Sequence, residues 1–128
     1  MDLVDLNAYC ALLPASTHVI QWRGAHVWKI GDKVYAIGRW TDSKYSGITF
    51  KTDDITFEIL RTKSGLRPAP YFASRGMKWI QQYRKPGLSD NNLKVYLSQS
   101  YKMAFSNLTK KKQEEVLTLK QTKMPYNK

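Results

Sequence analysis

The sequence predicts an α+β domain with two layers, an antiparallel sheet of about five strands and helices packed on one of its faces. The clearest observation is the segment "HVWKIGDKVYAIGR" (26–39), in which Gly31 and Asp32 form a two-residue turn between two alternating segments, a hairpin signature. Short strand patterns come mostly before the longest helical patterns along the chain. Hairpins followed by helices favour an antiparallel sheet with the helices gathered on one side.

The first element is predicted to be a helix from Asp2 to about Leu13. Asp2 is a suitable N-cap, and Pro14 lies just past the expected end. Leucines and the single cysteine, Cys10, recur on one face at helical spacing. A single cysteine excludes an intramolecular disulfide and a cysteine metal cluster, and we interpret Cys10 as a small core residue.

Strand patterns follow at 18–22, across the hairpin at 26–39, and at 46–51. A two-residue turn predicts that Ile30 pairs with Lys33, and the pairs continue outward in unbroken register. The next pairs on that face are Trp28 with Tyr35 and His26 with Ile37. The opposite face is smaller, and Ala36 and Gly38 would let a helix approach closely. The sequence leaves open which of the two faces is the core.

Residues 52–61 switch to helical spacing. Thr52 or Asp53 is the expected cap, and Ile55, Ile59 and Leu60 are expected to line the buried side. An irregular basic loop follows, because the prolines of Arg67-Pro68-Ala69-Pro70 exclude a regular helix. Residues 77–83 are predicted to be the fifth strand, stopped by Pro86-Gly87.

Two helices complete the expected order. Ser89-Asp90 begins the stronger one, and the other begins near Thr109 and carries Val116 and Leu117. The apolar stripe of the stronger helix comprises Leu93, Tyr96, Leu97, Tyr101, Ala104, Phe105 and Leu108. We expect one domain over residues 1–120 and a flexible tail over 121–128.

Positive charge is concentrated in the second half of the chain. Residues 1–60 carry six Lys/Arg and seven Asp/Glu, whereas residues 61–112 carry twelve Lys/Arg and one acidic residue, Asp90. Nearly all of the net charge of +11 therefore belongs to one continuous segment. Charge at this density repels itself, so it indicates a polyanionic partner or an acidic protein, or else a surface that only keeps the protein soluble.

An ordered set of short motifs resembles the MmcQ/YjbR-like proteins. The set consists of "DKVYAIGRW" (32–40), "ITFKTDD" (48–54), "LRP" (66–68), Trp79 in a strand and "SY" (100–101) in a long helix. The residues that match the family pattern are Lys51, Arg67, Pro68, Trp79, Ser100 and Tyr101. The resemblance runs from the first helix to about Leu117.

The resemblance implies a CyaY-like fold, which also resembles that of secretion chaperones. It implies DNA binding as well, by analogy to a double-wing arrangement of hairpins and helices, and it transfers no catalytic residues. Iron handling of the frataxin type is not expected, because that activity needs a row of acidic residues and the first helix offers only Asp2 and Asp5.

Enzyme and metal signatures are missing from the sequence. It contains no G-x-S-x-G, P-loop or G-x-G-x-x-G motif. His18 and His26 lie in strand patterns without an acidic residue at ligand spacing, so we interpret them as structural or surface residues. The adjacent carboxylates Asp53 and Asp54 are better explained by helix capping. We therefore expect no enzyme, no cofactor and no metal.

The leading hypothesis is a protein that binds duplex DNA mainly through phosphates, with little reading of sequence. Trp79 is interpreted as a core anchor that supports the basic residues around it. The lysine triplet 110–112, in the first turn of a helix, opposes the helix dipole, which leaves a phosphate contact and ordinary surface composition equally open. The candidate contacts are Arg61, Lys63, Arg67, Arg75, Lys78, Arg84, Lys85, Lys110, Lys111 and Lys112.

The alternative hypothesis is a protein-interaction or chaperone-like module that holds an acidic protein on the sheet face or the hairpin edge. No apolar run approaches the roughly 18–20 residues that a membrane-spanning helix needs, and the first residues do not resemble a signal peptide. We therefore expect a cytoplasmic protein that does not insert into membranes.

Overall fold

The computed structural model describes residues 1–39 and 47–122, with side chains described as far as Leu119. Its helices and strands are α1 (Leu3–Leu12), β1 (Ser16–Gln21), β2 (Ala25–Ile30), β3 (Lys33–Gly38), β4 (Ile48–Lys51), α2 (Asp54–Leu60), β5 (Leu66–Pro68), β6 (Trp79–Gln82), α3 (Asp90–Ser106) and α4 (Lys110–Thr122). Ser46, at the start of the expected fourth strand, and residues 123–128 of the expected tail lie outside the described residues.

The six strands form one antiparallel sheet in the order β1-β2-β3-β4-β6-β5. The α+β prediction is confirmed, with one strand more than expected. The added strand, β5, lies in the segment predicted to be an irregular loop, and it pairs with β6 from Leu66↔Gln82 to Pro68↔Ile80. Pro68 is compatible with this place because β5 is an edge strand.

The register of the central hairpin was predicted correctly only next to its turn. Ile30 pairs with Lys33 as expected, but a bulge then shifts the register, so that Trp28 pairs with Ala36 and not with Tyr35. His26 consequently pairs with Gly38 and not with Ile37. The bulge adds a residue to one strand without changing the alternation of apolar and polar residues in the other. The sequence pattern therefore did not predict the bulge.

The bulge also decides which side chains face the helices. Trp28 and Ile30 belong to the main core together with Tyr35 and Ala36, whereas Ile37 packs with Val27 on the other face of the sheet. Side chains from all four helices join the main core, so the helices lie on one face of the sheet.

The helix N-termini follow the sequence closely. Asp2 and Asp5 form a capping box on α1, Asp53 accepts from the amide of Thr56 at the start of α2, and Ser89 accepts from that of Asn92 at the start of α3. The apolar stripe predicted for α3 is confirmed by the burial of Leu93, Leu97, Tyr101 and Ala104, with Tyr96 and Phe105 partly buried against the same core. Leu108 is buried as well, but it lies just after the helix, which ends at Ser106.

The expected buried side of α2 was partly wrong. Phe57 and Leu60 are buried, whereas Ile55 and Ile59 are 75% and 55% exposed. Ile55 and Ile59 are four residues apart and therefore share a face, whereas Phe57 lies between them and points elsewhere. In the described part of the chain, no helix has the length and apolar character needed to cross a membrane.

Candidate nucleic-acid interface

Two arginines of the candidate set converge on one aromatic ring at the far end of the sheet. The guanidinium carbons of Arg67 and Arg84 lie 4.3 Å and 5.2 Å from the ring centroid of Tyr83. Arg84 Nε also donates to the hydroxyl oxygen of Tyr83 at 3.2 Å. An arginine stacked on a ring still presents N–H groups at its edge, which suits it to contact a phosphate.

The turns on either side of β5 and β6 bring further cations close to this ring. The amide of Tyr83 donates to the carbonyl of Gly65 at 2.9 Å, and that of Gly87 donates to the carbonyl of Ser64 at 3.2 Å. Gly65 has a φ of +87°, and a Cβ added there would overlap the carbonyl oxygen of Arg84. A glycine is therefore required where the two turns touch. The contact brings the turn that follows Lys63 against the turn that contains Arg84 and Lys85.

Arg67 differs from the other candidates because it is anchored. Its Nε and Nη2 donate to Oε1 of Gln81 at 3.0 Å and 2.7 Å, and Gln81 Nε2 donates to Thr49 Oγ1 at 3.1 Å. Gln81 and Thr49 are fully buried, while Arg67 is half-buried. Hydrogen bonds to the buried Gln81 therefore hold the half-buried guanidinium of Arg67 in place.

Two further cations lie over a second aromatic ring, that of Phe57, on the face of the sheet that the helices cover. Lys78 Nζ lies 4.8 Å from the ring centroid of Phe57, and the guanidinium carbon of Arg61 lies 6.0 Å from it. Phe57 is buried by the packing of α2 over β5 and β6. Arg61 also approaches Glu58 at 3.8 Å, but both side chains are largely exposed, so the pair contributes little to stability.

Arg75 belongs to the 3₁₀ turn (Ala73–Arg75) that joins β5 to β6. Its guanidinium carbon lies 5.3 Å from the ring centroid of Tyr71, and both residues are exposed. We use the name basic edge for the cations that flank β5 and β6, namely Arg61, Lys63, Arg67, Arg75, Lys78, Arg84 and Lys85.

The lysine triplet lies apart from the basic edge. Lys110, Lys111 and Lys112 are exposed in the first turn of α4, where the amide of Lys112 donates to Thr109 Oγ1 at 3.2 Å. The preceding Leu108 packs against Gly31, in the β2–β3 turn. That turn is three strands from β5, about 14 Å across the sheet. Lys112 also approaches Glu115 at 3.8 Å. The ten candidates thus form two groups.

The two histidines form a polar cluster with Asn7 and Trp28. Trp28 Nε1 donates to Asn7 Oδ1 at 2.9 Å, which directs the amide nitrogen of Asn7 towards His26 Nδ1 at 3.3 Å. The amide nitrogen of Asn7 can only donate, so His26 Nδ1 accepts from it, and His18 Nε2 lies 2.9 Å from the same His26 nitrogen. Burial, together with the charges of His18 and Arg39, lowers the pKa of His26. Within residues 1–39 and 47–122, no three His, Cys, Asp or Glu side chains gather as a metal site.

Sequence reasoning missed two cations, Lys33 and Lys51, which come from the nearly neutral first half of the chain. Both line a cavity at the end of the sheet where β3 begins and where Lys51 pairs with Trp79. The match of Lys51 and Trp79 to one family pattern was the available signal. Trp79 is 4% exposed, so its interpretation as a core anchor is confirmed.

Comparison with known proteins agrees with this architecture. The family model described as YjbR matches residues 11–103. The crystal structure of Deinococcus radiodurans protein DR2400, described as a DUF419 domain, superposes with a TM-score of 0.76 at 22% identity, covering 90% of this chain and 87% of that one. At that identity the likeness concerns the fold. No curated protein matches the chain.

Proposed function

The chain belongs to the YjbR family, and from that premise we propose that it binds duplex DNA through the phosphate backbone. The observation that carries the proposal is the basic edge. Its cations flank neighbouring strands, and five of the seven lie over the rings of Tyr83, Phe57 and Tyr71, namely Arg61, Arg67, Arg75, Lys78 and Arg84. Among the described residues, only Arg61 of this group lies within ion-pair distance of a carboxylate.

The arrangement suits binding to phosphates better than reading of bases. Phosphate contacts fix the position of a protein on DNA, whereas sequence is read by side chains in the grooves. The basic edge comes mostly from short strands and turns. We therefore propose low sequence specificity, a binding role and not a catalytic one, and a cytoplasmic location where the chromosome is accessible.

The test is a titration of a fluorescent 20-base-pair duplex between 50 and 200 mM salt. If six cations contact phosphates, the slope of log affinity against log salt is expected to be about −5. Three variants, each lacking three cations, locate the contacts. The edge variant changes Arg75, Arg84 and Lys85 to Ala, the helix variant changes Lys110–Lys112, and the control variant changes Lys29, Lys94 and Lys102.

We expect the edge variant to flatten the salt slope by about 2 to 3 units, because each lost phosphate contact removes about 0.9. The control variant, with the same net charge, is expected to keep nearly the whole slope. The helix variant shows whether the triplet adds a second contact. Equal losses in the edge and control variants would mean that only net charge matters, and they would remove the basic edge from the proposal.

A second candidate function, binding of an acidic protein, is favoured by one observation. The exposed side chains of Ile55 and Ile59 lie on α2 close to Arg61, and a mixed apolar and basic surface suits a protein partner. Freshly purified protein separates the two functions. A high ratio of absorbance at 260 to 280 nm that falls after a high-salt wash favours DNA binding. A protein that co-purifies after nuclease treatment, and that is lost when Ile55 is substituted, favours binding of a protein.

A further inference from the structure

A half-open cavity of about 300 Å³ lies at the end of the sheet, away from the turns around Tyr83. It reaches from the face of the sheet that the helices leave open to the last turn of α3. Its lining includes Trp22, Phe72, Met77 and Trp79 as apolar walls, and Lys33 and Lys51 as cations. The volume is at the lower end of the range for small-molecule sites, which are typically apolar with a few polar groups.

The aromatic wall is already arranged for stacking. The rings of Phe72 and Trp79 are stacked, with centroids 4.6 Å apart and an angle of 23° between their planes. Trp22 and Met77 are 48% and 40% exposed, so the apolar surface continues to the mouth. A flat ring can therefore enter and lie against aromatic and thioether groups, which attract ring edges and faces.

The buried wall also holds an unused hydrogen-bond donor. Trp79 Nε1 is buried and has no acceptor among the described residues. Buried N–H groups are nearly always paired, so this donor requires an acceptor that the described residues do not supply. An indole nitrogen can only donate, which restricts the missing group to an acceptor such as a carboxylate, phosphate or carbonyl oxygen.

Two lysines add positive charge to the same cavity. Lys51 pairs across the sheet with Trp79, and Lys33 begins β3. Neither lies within ion-pair distance of a carboxylate in the described part of the chain. The backbone of Lys51 is held in place from α3, because its amide donates to Ser100 Oγ at 3.0 Å.

From these observations we infer that the cavity binds a small molecule that joins a planar aromatic ring to one anionic group. The ring stacks on the wall that Phe72 and Trp79 form, the Nε1–H of Trp79 donates to an acceptor atom of the ligand, and Lys51 pairs with the anion. This site uses no cation of the basic edge and is independent of DNA binding.

The experiment uses four probes that separate the two halves of the ligand. 1-Naphthoate and 1-naphthyl phosphate carry ring and anion, 1-naphthalenemethanol carries the ring alone, and cyclohexanecarboxylate carries the anion alone. The readout is the indole N–H signal of Trp79 in a ¹⁵N correlation spectrum, identified by its loss in Trp79→Phe. We expect one or both of the first two probes to shift this signal with at least tenfold higher affinity than the last two.

Lys51→Met is expected to weaken the binding of the naphthyl anions at least tenfold. Its matched control is Lys102→Met, which removes an exposed lysine that does not line the cavity. The inference is overturned if neither naphthyl anion shifts the Trp79 signal at 5 mM, if the neutral or the non-aromatic probe binds as well as the anions, or if both lysine variants lose affinity equally. The backbone spectrum of each variant reports whether it remains folded.

Discussion

The hydroxyl of Ser100, on α3, accepts a hydrogen bond from the backbone amide of Lys51, on β4, with 3.0 Å between the two atoms. The same hydroxyl donates to the carbonyl oxygen of Tyr35 at 2.7 Å. The β3–β4 ladder pairs Ala36 with Phe50 and is not continued to Tyr35 and Lys51. Ser100 thus bridges the two strands beside the bulge and ties the sheet to the helix above it.

Ser100→Ala is therefore expected to destabilise the protein by about 1–3 kcal/mol, because it leaves backbone groups of Tyr35 and Lys51 without their partner. Urea unfolding followed by circular dichroism measures the loss. Ser106→Ala is the matched control on the same helix, since the hydroxyl of the exposed Ser106 donates within the helix, to the carbonyl of Lys102. We expect this variant to change stability by less than about 0.5 kcal/mol. Equal effects of the two variants would contradict a bridging role.

Substitutions of Arg67 and of Lys85 are expected to differ in their effects on stability and on DNA binding. Arg67→Met removes two charged donors from the buried Gln81, so we expect it to lower the free energy of unfolding by about 1.5–3 kcal/mol. Lys85→Met, at an exposed position in the turn after β6, is expected to leave unfolding nearly unchanged while it weakens DNA binding. Thermal unfolding and the duplex titration together check this. A destabilised Lys85→Met, or an unaltered Arg67→Met, would show that the anchoring is misassigned.

Cys10 is expected to be inert in the folded protein. It is fully buried on α1, and burial raises the pKa of its thiol to about 12. At pH 8 the thiolate is then about a thousandfold scarcer than in the unfolded chain, where the pKa is about 8.5. Labelling with a chromogenic disulfide should be slower by at least that factor in buffer than in concentrated urea. Cys10→Ala/Ser106→Cys provides an exposed thiol as the control, and fast labelling of native Cys10 would refute the packing of α1.

His26 is expected to make the fold less stable as the pH falls from 7.5 towards 5.5. Its pKa in the folded protein is lowered from the ordinary value of 6.5 by burial and by the charges of His18 and Arg39. The unfolded chain therefore binds more protons in this window, so stability decreases as pH decreases. We expect His26→Gln to lose less thermal stability than the unsubstituted protein over the same interval. Parallel pH profiles of the two proteins would show that protonation of His26 does not oppose folding.

Local sequence chemistry predicted those parts of the fold that depend on neighbouring residues. Asp2, Asp53 and Ser89 cap the helices they precede, because a cap is a contact over three residues. Tyr35, the extra residue of the bulge in β3, bonds to Ser100 of α3, and no pattern within the hairpin reports such a distant partner. β5 likewise has three residues and becomes a strand only because β6 lies beside it.

The candidate site was predictable in composition more than in arrangement. The concentration of cations in residues 61–112 was visible in the sequence, whereas the stacking of Arg67 and Arg84 on Tyr83 was not predicted. The separation of Lys110–Lys112 from that group follows from the packing of Leu108 on Gly31, a contact between residues far apart in sequence. Lys51 matched the family pattern but was not among the candidate contacts, because its neighbour Trp79 comes from a strand distant in sequence.

Gly38, on β3, lies directly under Leu3 and Leu6 of α1, and it provides a test of the layer packing. A Cβ at Gly38 would lie 2.6 Å from Leu6 Cδ2 and 2.8 Å from Leu3 Cδ1, closer than van der Waals contact allows. Gly38→Ala is therefore expected to destabilise the protein by about 1–3 kcal/mol through overpacking. Leu3→Ala alone removes apolar contacts from a partly buried side chain and is expected to destabilise as well. Combined in Gly38→Ala/Leu3→Ala, the two changes should cost somewhat less than their sum, since shortening Leu3 removes one of the two close contacts while that with Leu6 remains. Additive losses in urea unfolding would mean that α1 shifts away as a whole and that Leu3 does not define the contact.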